Sequence, residues 1–293
     1  MAQVTAALIK QLRDRTGAGM TDCKKALVAV DGDLDKAAEK LRMDGAAKAD
    51  KKAARTAAEG MIAVSQNADA IALVEVNCET DFVAKGDDFR GFARLTADAA
   101  LANKPADAEA LLTLEVEGQS IEQRRRELVA KTGENLSVRR VSVVASGGGA
   151  LVTYIHPGDR IAVALAMKSG DEELARDLAM HAAAMSPRFL DADSVPQDQI
   201  ESERKIIQAQ IAEQAQGKPP EIVDKMVSGK LRKFLAEITL LGQPFVKEPD
   251  QTVEKLLKAN NAAVAQFVRL AVGEGIERKQ ADFAAEVAAA TQV

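Results

Sequence analysis

The chain has 293 residues and a mass of 31.1 kDa, more than one hydrophobic core commonly organises, so two or more folding units are expected. Aromatic residues make up only 3% and tryptophan is absent, which leaves Ala, Leu, Val and Ile to fill the interior and favours close helix packing. A net charge of -5 and a pI near 5.4 argue against a general binder of nucleic-acid backbones, so no direct nucleic-acid partner is expected.

The charge is uneven. Residues 1–55 hold twelve Lys and Arg against eight Asp and Glu, a surplus that suits either a solvated helix face or a surface for an acidic partner. Within this segment Val4, Leu8, Ile9 and Leu12 recur at helical spacing, and "TGAG" interrupts them. Thr21 or Asp22 can then cap a second helix through "CKKALVAV". "DGD" ends it, and "LDKAAEKLRMDG" supplies a third helix closed by Gly45. The Ala- and Lys-rich stretch that follows, "AAKADKKAARTAAE", reads as a solvated connector.

From Met61 the period changes from helical to alternating. "GMIAVSQ", the turn "NADA" and "IALVEVNC" predict a β-hairpin, with a helix following from about Asp87 to Ala102. "IEQRRRELVAKTGE" reads as a helix and "NLSVRRVSVVAS" as a strand before "GGG". The order then recurs: "ALVTYIHPGDRIAVALAMKSGDEELARDLAMHAAAM" again gives strand, turn, strand and a helix opened by Gly and acid. Aligning Ile71 with Ile161 leaves six additional residues in the first copy, in or around "ETDFVA". The second copy indicates that the scaffold can connect without them.

After Pro187, "QDQIESERKIIQAQIAEQ", the turn "GKPPE" and "IVDKMVSGKLRKFLAEITLL" predict two antiparallel helices with a stripe at Ile200, Ile207 and Ile211. The hairpin is either a solvated arm or a contact for a partner or a second copy of the chain. "AAVAQFVRLAVGEGIER" contains a further strand, and "KQADFAAEVAAA" a short last helix.

Signals of covalent chemistry are poor, and the chain is not expected to be an enzyme or to carry a cofactor or metal. His181 lies in an Ala-rich helix, where packing is the ready reading, while His156 occupies the turn "YIHPGDR". "GAGMTD" lacks the third glycine and the preceding strand of a dinucleotide loop. Cys23 and Cys78 fit no disulfide framework or metal spacing, which points to a reducing compartment. The charged start and the lack of any run of about 18 apolar residues predict a cytoplasmic protein with no membrane segment. Asp81 and Phe82 stand apart because they fall in the extra six residues. Phe82 either folds back onto its own sheet or meets a pocket on a partner. A structural or chaperone-like helical adaptor and a carboxylate metal enzyme are two classes to weigh.

Two stretches, "LRDRTGAGMTDCKKAL" at 12–27 and "EVNCETDFVAK" at 75–85, resemble signatures of the elongation factor Ts family. "LLGQPFV" at 240–246 and "VGEGIERKQADFAAEVAA" at 272–289 extend the resemblance over nearly the whole chain. Thr21 departs from it, standing where many members have the second of two methionines. The resemblance implies an α+β protein: a three-helix ubiquitin-associated-like domain with connector (1–55), two related α+β subdomains with small antiparallel sheets (56–148, and 149–186 with 236–272), a protruding coiled-coil hairpin (187–235) and a C-terminal module (273–293). It further implies a guanine-nucleotide exchange factor whose partner is elongation factor Tu, GDP-bound or nucleotide-free. Thr80, Asp81, Phe82 and Val83 would dislocate the partner's Mg²⁺, and Met20, Lys24 and His156 would contact the partner. The hairpin could also make a homodimer.

Overall fold

A computed structural model describes residues 4–216 and 218–277. The described chain forms two units, one of residues 4–63, 74–141 and 271–277, the other of residues 64–73 and 142–270. The "KQADFAAEVAAA" helix predicted from the sequence lies outside the described residues.

The first unit opens with α1 (Ala6–Thr16), α2 (Met20–Ala29) and α3 (Leu34–Lys52). Thr5 and Asp33 cap α1 and α3 through side-chain bonds to first-turn amides, and Gly17 leaves α1 at φ 67°, where a glycine carries no Cβ penalty. Leu12, Cys23, Ala26, Leu27, Ala37 and Ala38 form a shared core. Two details differ from the sequence expectation. Gly19, in extended backbone and with no side-chain cap, precedes α2, so Thr21 and Asp22 lie inside the helix. Gly45 does not stop α3, which continues to Lys52 through the first half of the expected connector. Gly45 is buried at a helix crossing: a Cβ there would stand 3.1 Å from the Cβ of Ala130. Close approach, not chain reversal, requires the glycine.

The strands β1 (Glu59–Gln66) and β2 (Ala70–Cys78) follow, joined by a turn in which the Asn67 side chain accepts from the Asp69 and Ala70 amides. Next come α4 (Asp81–Lys85), α5 (Asp87–Asn103), α6 (Ala108–Thr113), the short pair β3 (Glu115–Val116) and β4 (Gln119–Ser120), α7 (Ile121–Thr132) and β5 (Ser137–Ala145). The three long strands lie in the order β1-β2-β5, with every residue of the central β2 buried.

In the second unit β6 (Leu151–Ile155) pairs antiparallel with β7 (Ile161–Ser169), and α8 (Glu172–Met185) follows. The helical hairpin α9 (Gln197–Ala215) and α10 (Pro220–Ile238) has its own small core of Ile207, Ile211, Val227 and Leu231. The chain returns as β8 (Pro244–Phe245), β9 (Glu248–Thr252), α11 (Val253–Ala259) and β10 (Ala263–Ala271), giving the sheet β10-β7-β6.

The repeat is longer than the sequence suggests. Each copy runs hairpin, helix, short two-stranded ribbon, helix, then a strand added beside the second strand of the hairpin: β1-β2, α5, β3-β4, α7, β5 against β6-β7, α8, β8-β9, α11, β10. The fold is α+β with small antiparallel pairings. The helical hairpin is an insertion into the second copy, and α4 and α6 belong to the first copy alone. Eight residues separate β2 from α5, but two separate β7 from α8. The difference of six matches the insertion read from the sequence.

Candidate functional site

The extra residues of the first copy form a loop and one helical turn. β2 is buried as far as Cys78, whose thiol is pushed up to about 12 by burial and further by the nearby Glu134 and Glu59 charges. Such a thiol stays protonated and unreactive, and it donates to the Thr80 carbonyl at 3.0 Å. Thr80 is the N-cap of α4: its backbone is extended, and its hydroxyl oxygen accepts from the Val83 amide at 3.3 Å. Asp81 and Lys85, one turn apart, pair at 2.6 Å. The hydrogen bond from Lys85 holds the exposed Asp81 carboxyl below its usual range.

Phe82 is 83% exposed, so the alternative in which it folds back onto its own sheet does not hold. A phenyl ring left in water forgoes about 1.5–3 kcal/mol of burial, which a partner pocket can recover. No residue of α4 is fully buried, Val83 and Ala84 being only half-buried, so polar bonds carry much of its positioning. They come from the turn after α7. Gly133, at φ 78°, ends that helix and redirects the chain, and Glu134 then accepts from the Glu79 amide (3.1 Å), the Thr80 amide (3.0 Å) and the Thr80 hydroxyl (2.6 Å). Glu79 reciprocates by accepting from the Asn135 amide at 2.6 Å. Glu79 falls in the inserted stretch, but nothing in the sequence singles out Glu134. The one local hint is the Gly133 helix stop, and the bonds that join the two turns span more than 50 residues.

Met20 and Lys24 lie four residues apart on the exposed face of α2, opposite Cys23, Ala26 and Leu27. Val28, 58% exposed, continues the same row, and the sequence does not single it out. Thr21 is exposed as well. His156 is in the second unit, on the exposed turn between β6 and β7. Its amide donates to the Ile161 carbonyl, and its Nδ1 is 3.3 Å from the Tyr154 hydroxyl. Thr80, Asp81, Phe82 and Val83 thus share one helical turn, Met20 and Lys24 share one face, and His156 belongs to a separate unit.

A cleft of about 550 Å³ is bounded by α1, α3 and α7; of the cations that line it, Arg15, Arg126 and Lys131 are occupied by Asp35, by Asp50 with Glu122, and by Asp88, and Arg42 lines it as well. Among the described residues no three His, Cys, Asp or Glu side chains converge as metal ligands, and no helix is long and apolar enough to cross a membrane.

Comparison with known proteins decides the family. The family described as elongation factor Ts matches residues 79–274, from the start of the α4 loop to the end of the segment after β10. The chain belongs to the elongation factor Ts family. It is 56% identical over 292 residues to elongation factor Ts of Hydrogenovibrio crunogenus, covering 98% of this chain and 97% of that one. It is also 56% identical to elongation factor Ts of Idiomarina loihiensis, with the same coverage, and 50% identical to that of Methylobacillus flagellatus over the full length of both. Membership of the elongation factor Ts family makes this a translation elongation protein. Its matched region begins at Glu79, the residue that leads into the exposed turn.

Proposed function

We propose that this chain is a guanine-nucleotide exchange factor that binds GDP-loaded elongation factor Tu and speeds release of GDP by disturbing the Mg²⁺ and phosphate site. The observation that carries the reading is Phe82, exposed at the tip of a polar-anchored turn in a chain of this family. Mg²⁺ demands near-ideal octahedral oxygen geometry and bridges the nucleotide's phosphates to protein, so a small displacement removes much of its contribution. Phe82 enters a pocket of the partner and holds the displaced arrangement. Asp81 exchanges its exposed Lys85 partner for groups around the ion, a swap that costs little because an exposed pair is weak.

Accelerating release by about four decades requires about 5.5 kcal/mol of preference for the nucleotide-weak state. One buried phenyl contributes about 1.5–3 kcal/mol. The remainder comes from other surfaces, with Met20 and Lys24 on the leading module and His156 on the second half as contributors. The chain forms and breaks no covalent bond in this role, needs no cofactor of its own, acts in the cytoplasm and leaves the GDP–GTP equilibrium unchanged. The helical hairpin is free in this scheme for a second contact, including a homodimer.

Stopped-flow release of a fluorescent GDP from elongation factor Tu is the test. Saturating wild-type protein accelerates release by orders of magnitude. Phe82→Ala removes much of that acceleration while the circular-dichroism melt stays within a degree or two, because the ring makes no contribution to the chain's own core. Release unaffected by the wild-type protein would falsify the exchange reading, and a collapsed Phe82→Ala melt removes the wedge.

A further inference from the structure

We infer that Glu134 is a positioning residue of the exchange site, which holds the Asp81–Phe82 turn in its presented form; the inference rests on the exchange reading above and names a residue that this reading does not use. α4 is five residues long and buries none of them fully. Isolated helices shorter than about 12–15 residues are marginal in water, so one turn has to be imposed from outside. Glu134 imposes it at the point where the chain leaves β2.

The geometry is specific. A carboxylate only accepts hydrogen bonds, and Glu134 takes three: the Glu79 amide, the Thr80 amide and the Thr80 hydroxyl. These are the two backbone donors just before α4 and the side chain that caps it. The Thr80 proton is committed to Glu134 Oε1, which turns the hydroxyl lone pairs toward the Val83 amide at 3.3 Å. The cap is therefore oriented by Glu134, and the direction of α4, with the Phe82 ring on it, follows from the cap.

Glu134 is itself held. Gly133 places it at the end of α7, the Asn135 amide donates to Glu79, and the Asn135 side chain donates to the carbonyls of Ala53 (3.3 Å) and Arg55 (2.7 Å) just beyond α3. Lys52, the last residue of α3, donates to the Gly133 carbonyl. The turn 133–135 therefore grips the exposed loop on one side and the end of the three-helix module on the other.

An isosteric variant separates positioning from contact. Glu134→Gln keeps the shape but removes the charge, and its amide group either faces a backbone N–H, which cannot accept, or replaces the acceptor of the Thr80 proton and leaves the cap hydroxyl unoriented. In the GDP-release assay with elongation factor Tu, Glu134→Gln lowers the maximal rate by about tenfold in the wild-type background, a typical consequence of losing charge-assisted bonds. In the Phe82→Ala background the same change costs less than about twofold, because residues acting through one another are non-additive. Thr80→Val, which deletes the oriented hydroxyl but leaves the two amides bonded, repeats the cycle should the Gln variant melt early.

The chain has no tryptophan, so Phe82→Trp supplies a single indole whose fluorescence anisotropy reports motion of the turn in the free protein. Adding Glu134→Gln lowers that anisotropy. Equal losses in the two backgrounds, or an unchanged anisotropy, overturn the inference while exchange by Phe82 stands. If Phe82→Ala alone leaves exchange intact, the wedge reading fails and this positioning role fails with it.

Discussion

Glu75 lies at zero exposure in the middle of β2, and the fold answers that buried charge in full. Arg139 reaches it at 3.1 Å, Arg140 through its Nε, and the Gly273 amide at 2.8 Å. The two arginines also donate to the carbonyls of Glu274 and Ala271, so one carboxylate ties the segment after β10 to the sheet. Its chemistry and its neighbour Asn77, which also donates to it, are visible in the sequence, but the arginine and Gly273 partners, 64 to 198 residues away, are not. His181 is the opposite case. Its Ala-rich setting already indicated packing, and it is wholly buried, bonded through Nε2 to Gln243 Oε1 at 3.0 Å and accepting at Nδ1 from the Val246 amide at 3.1 Å. Burial pushes its pKa down, and Nδ1 has no room for a second proton. The unfolded chain therefore takes up a proton below pH about 6.5 that the folded chain refuses, so stability falls as pH drops, with a slope approaching about 1.4 kcal/mol per pH unit. The melting-temperature gap between wild type and the non-titrating His181→Asn narrows from pH about 7.5 to about 5.5. A gap that stays constant means that the histidine is not held neutral.

Among the elements, α3 shows how a local signal is overruled. Glycine inside a helix costs about 1 kcal/mol relative to alanine, which is why Gly45 reads as a stop. Packing offsets that cost, because a Cβ at this position would stand 3.1 Å from the Cβ of Ala130 on α7 and push the two helices apart. Gly45→Leu is expected to destabilise the protein by about 1–3 kcal/mol through overpacking. Amide exchange should rise over residues 46–52 while the Leu12–Leu27 core keeps its protection, and equal loss across all three helices would mean that the module does not depend on this crossing. α4 is the complementary case. No propensity scale supports a five-residue helix, and it exists because Thr80, Glu134 and the Asp81–Lys85 pair each satisfy part of it. The helices α5 and α8 needed no such help: Phe89, Phe92 and Ala93 in one, and Ala175, Leu178 and Ala179 in the other, sit at the three- and four-residue spacings that mark a buried face.

At the scale of the whole molecule, a duplicated scaffold carries different insertions, among them the exposed Phe82 turn in one copy and a helical hairpin in the other. The duplication was legible where hairpin and helix share their spacing. It was invisible at β3-β4 and at β8-β9, since strands of two to five residues are too short to show a period. A protein that exchanges nucleotide through contacts on several modules must also obey linkage. The factor by which it weakens GDP binding to elongation factor Tu equals the factor by which GDP weakens its own binding. Titrating the partner with this protein, with and without saturating GDP, and titrating GDP with and without this protein, gives the two factors. Unequal values would show that an additional bound state has been left out of the cycle.

The sequence alone determined the three-helix start, the repeated hairpin and helix, the six-residue insertion and the family resemblance, because each is written in spacing or in a contiguous run, and the α+β class followed from that resemblance. Tertiary structure decided where Phe82 points, why Gly45 is a glycine, what neutralises Glu75 and what holds α4 in place. Those answers depend on atoms brought together from positions tens to hundreds of residues apart. Hydrophobic periodicity records only which side of an element is buried; which distant donor meets which carboxylate is fixed when the elements pack.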